Sequence, residues 1–496
     1  MKLFGRKATP VGQVFITPTS RGFKRAGSGY ASYVDAPQEW RGTSRQVCGL
    51  WPFAAGSGSP LAGVPLGTNM LTGNMIGLDP ITAFKRGLIP NPSAYFMSLP
   101  GLGKSTLVGK MMMGMNAYGI VPITLGDVKG EHVARTRAMD GQVIPLGNGR
   151  GYLNVLDPGA SAKAAARLSG SLRDEVLEEA HMHRQAILES LITISRGTPP
   201  SETEVTVLDQ ALRMLFARFI GIPLIPDLIQ VIASRPQELR EIVLDHGDDE
   251  RYLNATDELR RSLGGLVSGG RLGTMFSRHT TEELDFTRPS VFDLSGIGDT
   301  LPAQQAAGML AAWSAGFAGV KIAQILADAG LEPRRNYVVV LDEFWRALRI
   351  GRGIVDRADS LTRLNRHEGV GQLMVSHTLR DFDTVENEAD RKKAQSFAER
   401  SGMIIMGGLP KSEMDAISRI REMTQAERNM LVSWADSKKI TSRGTGQSAP
   451  YGRGKFLIKL GNAPGIPLNT RLTEIEKRVG DTNLRWDMGP RAAAVA

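Results

Sequence analysis

The chain has 496 residues, of which 42% are hydrophobic and 22% are charged, values that are typical of a soluble globular protein. Lysine and arginine outnumber aspartate and glutamate by 60 to 51, and the resulting net charge of +9 suits an anionic partner such as nucleic acid or lipid, or simply a solvated basic surface. The single cysteine, Cys48, excludes an internal disulfide and a Cys-based zinc site and favours a reducing compartment.

The N-terminal region is predicted to contain a basic arm followed by short strands. Residues 1–45 contain Lys and Arg interspersed with Gly, Ser and Pro. They lack the apolar stretch expected of a secretion signal. Residues 46–96 are rich in turn-forming residues and contain short apolar pieces, which predicts a set of lead-in strands.

Strands and helices then alternate, as in a parallel sheet with covering helices. This core is predicted in two parts, 97–160 and 287–475, and a C-terminal tail is predicted at 476–496. Residues 104–118 are predicted to form a helix. The predicted strands are apolar runs at 93–98, 120–125, 141–146, 290–295, 337–341, 371–376 and 402–406.

An all-α insertion is predicted at 161–286, between the two parts of the core. Two apolar stripes at helical spacing are expected to face the interior: Leu172, Val176, Ala180, Ile187 and Leu191, and Val205, Leu208, Leu212, Leu215 and Phe219. A later Ala- and Gly-rich stretch, 306–320, is shorter than the roughly 20 apolar residues of a membrane span. A buried helix is therefore predicted there, and no transmembrane segment.

A phosphate-binding loop is predicted between the strand at 93–98 and the helix at 104–118. The residues Ser98-Leu-Pro-Gly-Leu-Gly-Lys104-Ser105 match the P-loop pattern G-x-x-x-x-G-K-[ST], except that Ser98 replaces the first glycine. Backbone N–H groups would bind phosphate, Lys104 would reach the outer phosphates, and Ser105 would hold Mg²⁺. The alternative is a turn with a surface lysine. The predicted nucleotide-binding residues are Pro100, Gly101, Leu102, Gly103, Lys104, Ser105 and Thr106.

An acidic pair follows the strand at 337–341. Asp342 is predicted to hold Mg²⁺ through water, and Glu343 to act as general base on the attacking water. Such a pair is common by itself, but together with the loop at 98–105 it predicts an enzyme that hydrolyses ATP. No Asn-Lys-x-Asp string occurs, which argues against a Ras-like GTPase.

These motifs, in this order, resemble those of the HerA–FtsK superfamily of ring motors, and more closely the VirB-type and TraC-like ATPases that energise conjugation and type IV secretion. The resemblance covers roughly 46–475 and is carried by four further stretches at 63–73, 125–157, 342–348 and 363–382. It implies an α/β fold: a RecA-like P-loop NTPase core with a mainly parallel sheet and an inserted all-α subdomain.

The resemblance also implies roles for residues outside the P-loop. Asp127, Lys129 and Glu131 would sense the γ-phosphate or transmit its loss, with a surface salt-bridge cluster as the alternative. His377 stands where glutamine is usual and would contact the γ-phosphate or the attacking water, although a hydrogen-bonded histidine at a strand end explains it nearly as well. Arg366 is the candidate finger for a neighbouring subunit's phosphate, with Arg363 and Arg271 as competitors.

The function implied is an ATP- and Mg²⁺-dependent motor, a homo-hexamer, that powers substrate transfer or assembly at a conjugation-type channel. Its partners would be membrane channel proteins, and it would be cytoplasmic and peripheral to the inner face of the membrane. The first alternative is a translocase that pulls DNA through a hexameric ring. The second is a nucleotide-gated scaffold that barely hydrolyses ATP, against which Glu343 argues.

Overall fold

The computed structural model describes residues 59–348, 355, 359, 369–380, 388–436 and 450–480. The predicted basic arm, the arginines 363 and 366, and most of the predicted C-terminal tail lie outside the described residues. Every described residue belongs to the unit Gly56–Ala496.

Twelve strands of the described residues form one sheet in the order β1-β3-β2-β12-β11-β10-β4-β9-β8-β5-β7-β6. All the predicted strands are present, each within two residues of its expected bounds. The strands are β1 Leu61–Ala62, β2 Pro65–Asn69, β3 Met75–Leu78, β4 Ser93–Met97, β5 Ile120–Asp127, β6 Gln142–Pro145, β7 Ser290–Asp293, β8 Asn336–Leu341, β9 Val370–Ser376, β10 Met403–Met406, β11 Lys455–Leu460 and β12 Ile466–Thr470.

Helices cover the sheet and fill the connection between β6 and β7. They are α1 Pro80–Lys85, α2 Lys104–Ala117, α3 Val133–Ala138, α4 Gly159–Arg167, α5 Gly170–Arg196, α6 Glu202–Arg218, α7 Ile225–Ala233, α8 Gln237–Val243, α9 Asp249–Val267, α10 Pro302–Asp328, α11 Trp345–Leu348, α12 Glu388–Arg400, α13 Met414–Ile420, α14 Gln425–Ala435 and α15 Glu474–Val479. The helices from α4 to α9 make up the helical insertion.

The parallel part of the sheet runs from β10 to β6 and is buried on both faces. Strand β4 illustrates this burial, because successive side chains of a strand point to opposite faces of the sheet. Ala94 and Phe96 pack with the Met-rich face of α2, whereas Tyr95 and Met97 pack in the core that the helical insertion and α10 share. A sheet covered on both faces explains the continuous apolar runs in the sequence.

The remaining five strands extend the sheet with mostly antiparallel pairing. The lead-in strands β1 to β3 reach the parallel part only through β11 and β12, because β12 pairs with β2 and β11 pairs with β10. No strand was predicted from the sequence for β11 and β12. The lead-in strand β2 and the last described strand, β12, are direct neighbours in this sheet.

The helical insertion follows the predicted stripes except at their ends. Leu172 and Phe219 are exposed, at 42% and 39%, which corrects two of the predicted core positions. Leu172 lies in the first turn of α5, and Phe219 follows the last residue of α6, so neither end is covered by a neighbouring helix. Val205 is half-buried, and the other predicted positions are buried.

Helix α10 contains the Ala- and Gly-rich stretch and is buried in the fold, as predicted. Within the described part of the chain it is the one helix that is long and apolar enough to cross a membrane, and 67% of its most apolar window is buried. Trp313 of this helix donates a hydrogen bond from Nε1 to the carbonyl oxygen of Leu125 on β5, at 3.0 Å. Its apolar surface is thus used for packing against the sheet.

Candidate nucleotide site

The P-loop connects β4 directly to α2, as predicted. Gly101 and Gly103 have φ angles of +79° and +94°, a left-handed conformation that a residue with a side chain rarely adopts. The backbone at Ser98 does not require positive φ, so serine replaces the usual glycine there without backbone strain. Helix α2 begins at Lys104, and its N-terminal N–H groups provide the positive end that attracts phosphate.

Lys104 is buried and makes defined contacts, so the alternative of a turn with a surface lysine is wrong. Its Nζ donates to the carbonyl oxygen of Ser376 at 2.9 Å and lies 3.0 Å from Nδ1 of His377. Both partners lie at the end of β9, the strand beside β4. The P-loop lysine is therefore held against the neighbouring strand end.

The contact with Lys104 sets the tautomer of His377. An ammonium group has only donors, so Nδ1 of His377 must accept and Nε2 must carry the proton. Nε2 lies 3.0 Å from Oε1 of Glu343, to which it donates. His377 thus joins Lys104 to Glu343 with one acceptor and one donor. Glutamine offers the same pair of groups on its side-chain amide, which explains physically how histidine can stand in its place.

Glu343 is held by four groups and has an unusual backbone. It lies after β8, is buried, and has a φ of +51°, a conformation that costs about 1–3 kcal/mol for a residue with a side chain. Besides His377, Lys129 pairs with its Oε1, and Trp345 donates from Nε1 to its Oε2 at 2.7 Å. Its backbone N–H donates to Oδ1 of Asp342 at 2.9 Å. Burial would raise the pKa of Glu343, but the hydrogen bond from His377 and the charges of Lys104 and Lys129 hold it far below the usual range.

Asp342 is oriented by a residue that the sequence reading missed, His132. This histidine is fully buried, and its Nε2 lies 3.0 Å from Oδ2 of Asp342. Burial opposes ionisation of Asp342, but the hydrogen bond and charge of His132, together with the charge of Lys104, lower its pKa below the usual value. Burial likewise opposes the charged form of His132, but Asp342 and Asp127 raise its pKa.

The segment after β5 combines the buried Asp127 with the exposed, ion-paired Lys129. Asp127 is buried and accepts from the backbone N–H groups of Glu131, at 3.1 Å, and His132, at 2.7 Å, and its burial raises its pKa. Asp127 therefore shapes the turn that places His132. Lys129 reaches across to Glu343, which raises the pKa of Lys129 despite its partial burial. Glu131 is half-buried, and its carbonyl oxygen accepts from Arg135.

The oxygen donors of the cleft fit Mg²⁺ bound together with phosphates. Ser105 lies in the first turn of α2, and Asp342 is a buried carboxylate at the end of β8. Mg²⁺ is usually bound by one or two such protein oxygens plus substrate phosphates and water. No group of three or more His, Cys, Asp or Glu side chains suited to a metal ion occurs in the described ranges.

The structure thus brings together most of the residues predicted from the sequence. Lys104, His377, Glu343, Asp342 and Lys129 form one network at the ends of neighbouring strands. Pro100, Leu102 and Thr106 lie in the loop or the first turn of α2 around it. Arg271 is exposed, in the turn after α9, and Arg366 lies outside the described residues, so its finger role stays a prediction.

Comparison with known proteins gives a match of fold. No protein-family model matches the chain, and no curated protein matches its sequence. VirB4 of Thermoanaerobacter pseudethanolicus is similar with a TM-score of 0.62 over 85% of this chain and 100% of that chain, at 16% identity. The plasmid coupling protein TrwB in complex with ADP and Mg²⁺ is less similar, with a TM-score of 0.46 over 84% of this chain and 97% of that chain, at 12% identity.

The fold is that of a RecA-like P-loop NTPase, with a mainly parallel sheet and a helical subdomain inserted between β6 and β7. This confirms the fold expected from the sequence. VirB4 has this fold along its whole length, so the likeness to this protein holds at the level of the fold.

Proposed function

We propose that this protein is an ATP-hydrolysing motor of the conjugation and type IV secretion type. The observation that carries the proposal is the continuous contact chain from Lys104 through His377 to Glu343, next to Asp342. The P-loop and the two strand ends that carry this chain belong to adjacent parallel strands β4, β9 and β8. In open α/β sheets, ligands bind at the carboxyl ends of such strands.

The residues divide the work of hydrolysis among them. The backbone N–H groups of the P-loop bind the phosphates, and Lys104 exchanges its contact with the Ser376 carbonyl for the stronger charge of the triphosphate. Mg²⁺, held by Ser105 and Asp342, would neutralise phosphate charge. Glu343 accepts the proton of the attacking water, and its low pKa keeps it ionised for that purpose.

His377 connects the two halves of this site. When Lys104 turns to the phosphate, Nδ1 of His377 loses its donor while Nε2 still donates to Glu343. His377 therefore orients the Glu343 carboxylate and adjoins the outer phosphate at the same time. Through this contact, phosphate binding at Lys104 would change the environment of the general base Glu343.

The role as a secretion motor is supported by the likeness to VirB4 along that protein's whole length. In this proposal the chain assembles into a homo-hexamer, with Arg366 reaching the phosphate bound by a neighbouring subunit. It acts in the cytoplasm, at the inner face of the membrane, with channel proteins as partners. The helical insertion is the part that would grip the partner or the substrate.

The deciding experiment is an ATPase measurement on the wild-type chain and on Glu343→Gln, with and without single- and double-stranded DNA. We expect turnover of the variant to fall by ~10²–10⁴, because the general base is lost, while ATP binding is retained. The matched control is Glu422→Gln, an exposed acid between α13 and α14 that takes no part in the sheet-end network. Equal turnover of wild type and Glu343→Gln would support the nucleotide-gated scaffold instead.

The DNA arms of the same experiment test the translocase alternative. A DNA translocase would be stimulated by DNA, and the stimulation would fall steeply with salt. We expect ATPase activity that does not depend on DNA. Strong stimulation that salt removes would contradict the secretion proposal and leave the ATPase proposal intact.

The proposed finger Arg366 is tested by mixing subunits. Inactive Arg366→Ala subunits doped into active rings should reduce turnover more steeply than in proportion to their share, because each one disables a neighbour's site. A strictly proportional loss would contradict action between subunits.

A further inference from the structure

A second site lies away from the nucleotide cleft, between the helical insertion and α10. A cavity of about 240 Å³ is bounded by α5, α10, the start of α4 and the loop segments 153–158 and 280–286. This volume is far larger than the ~10–15 Å³ that one water needs. Its walls are mostly apolar, with Val176, Ile187, Phe286, Phe292 and Ile322 among them.

Arg184, on α5, lines this cavity and has no acidic partner among the described residues. The side chain is only 8% exposed. Its Nε donates to the carbonyl oxygen of Ala180 at 3.0 Å, and its Cζ lies 3.8 Å from the ring centre of Phe216. Its Nη1 is buried and finds no hydrogen-bond partner within the described part of the chain.

The acidic side chains around the cavity are already engaged. Asp157 accepts through Oδ1 from the backbone N–H of Gly159 at 2.9 Å, and three glutamates have side-chain partners. Glu179 pairs with His183 at 3.2 Å and with Lys321 at 2.7 Å. Glu283 pairs with Lys163, and Glu282 accepts from Gln142 at 3.4 Å. None of the ion pairs around the cavity includes Arg184, and burial alone lowers its pKa to about 10. At neutral pH the guanidinium therefore keeps a charge that the surrounding described residues do not balance.

A buried charge without a counter-charge is costly, and proteins normally pair it. An aromatic ring on one face stabilises the guanidinium but does not neutralise it. A carboxylate would do so, because the planar guanidinium matches its geometry with two parallel hydrogen bonds. The apolar walls next to Arg184 suit the remainder of such a ligand.

We propose that this cavity binds a single carboxylate joined to a short apolar group, with Arg184 as the residue that recognises the carboxylate. The same chemistry is offered by a short fatty acid and by the C-terminal residue of a polypeptide. One arginine and apolar walls do not suit a nucleotide, whose several phosphate charges need more donors than the cavity wall supplies. The site is distinct from the nucleotide cleft and does not depend on ATP hydrolysis.

The test measures ligand binding to the 496-residue chain in two ways, by calorimetry and by the shift in melting temperature. The probes are octanoate, octan-1-ol as the chain without charge, and N-acetyl-leucine as a polypeptide C-terminus. We expect at least one of the two carboxylates to bind with a saturating melting-temperature shift, and octan-1-ol to bind roughly 10- to 100-fold more weakly. Tighter binding of octanoate would indicate a fatty acid as the ligand, and tighter binding of N-acetyl-leucine would indicate a polypeptide C-terminus. Equal binding of octan-1-ol, or no saturable binding of either carboxylate, would overturn the proposal.

Two variants locate the site, and a third controls for charge. Arg184→Met should weaken carboxylate binding by roughly 10- to 100-fold. Arg173→Met removes the same charge from an exposed position on the same helix and should bind as the wild type does. Ala318→Leu keeps Arg184 but fills the cavity from α10, so it should also lose binding.

The Ala318→Leu variant keeps the proposal testable if Arg184→Met does not fold. Unchanged carboxylate binding by either folded variant would place the ligand elsewhere and contradict the assignment. Weakened binding by the Arg173→Met control would do the same, because the effect would then be one of general charge.

Discussion

The nucleotide cleft and the cavity beside α10 differ in whether their buried charges have partners of opposite charge. In the cleft, cations and anions lie within the same network, so that Lys104, Glu343 and Asp342 all have protein partners. In the cavity, Arg184 has an aromatic ring and a carbonyl oxygen but no described acid. The first arrangement is balanced without a ligand, and the second needs one.

The difference bears on what each proposed site would do with its ligand. In the proposed function, phosphate binding would rearrange contacts that already exist in the cleft, and the rearrangement would reach Glu343 through His377. In the proposed cavity site, a ligand would add a missing counter-charge without such an exchange. A motor site requires the first behaviour, whereas a site that only recognises a ligand can work by the second.

The largest expected effect is at Lys104. Lys104→Ala should weaken ATP binding roughly 100-fold, because the main positive charge on the phosphates is lost. The measurement is fluorescence titration with a labelled ATP analogue, and Lys411→Ala, at an exposed lysine, is the control. Unchanged affinity would show that the network in the cleft is structural and would remove the basis of the comparison.

Variants of His377 test whether the contact chain couples Lys104 to Glu343. His377→Leu should lower turnover roughly 10- to 100-fold, because Glu343 loses a hydrogen bond that involves a charged group. His377→Gln keeps one acceptor and one donor, so its turnover should remain within about threefold of wild type, a difference worth well under one hydrogen bond. If both variants lose activity equally, the histidine acts through something other than this pair of hydrogen bonds.

His132 tests whether the balance of charge in the cleft contributes to stability. His132→Ala removes the hydrogen bond to Oδ2 of the buried Asp342 carboxylate, and it should lower the free energy of unfolding by about 1–3 kcal/mol. Urea denaturation measures this change, and His279→Ala, at an exposed position, is the control. Equal stability of the two variants would mean that Asp342 does not depend on His132.

The smallest effect is expected at the cavity, from Glu179. The hydrogen bond from His183 and the ion pair with Lys321 lower the pKa of Glu179 from 4.5 to about 2. A lowered pKa in the folded state stabilises the protein above pH 4.5, and this contribution is lost as the pH falls towards 2. Because Glu179 is partly solvated, Glu179→Gln should cost about 1 kcal/mol at pH 6 and nearly nothing near pH 2.

Urea denaturation at several pH values measures the Glu179 effect. Glu175→Gln, at an exposed position on the same helix, is the control and should show no such dependence. A cost that is equal at pH 6 and pH 2 would show that Glu179 contributes by packing and not by charge.

The parallel part of the fold was readable from the sequence because its strands are buried on both faces. The run at 337–341 is continuously apolar, the run at 371–376 is mostly apolar, and the P-loop and the acidic pair are local strings. Their meeting at one edge of the sheet follows from the rule that parallel strands share their carboxyl ends. The residues of the cleft that are close in sequence to these strings were therefore predicted.

The residues that were missed depend on partners far away in the sequence. His132 looks like any polar residue until Asp342, which it binds, is placed beside it. Strand β11 contains a lysine, Lys459, that is buried and pairs with Glu427 of α14, so its apolar pattern is interrupted. The sequence around His132 and Lys459 therefore does not predict that they pair with Asp342 and Glu427.

The position of β12 has a consequence for the synthesis of the protein. The lead-in strand β2 pairs with β3 and with β12, and the P-loop strand β4 lies between β9 and β10, which come from the last third of the chain. During translation the N-terminal strands thus leave the ribosome long before their neighbours exist. They expose unpaired edges and apolar faces during that interval, a state in which a nascent chain is prone to aggregate, and the interval ends only when residues 455–470 have been made.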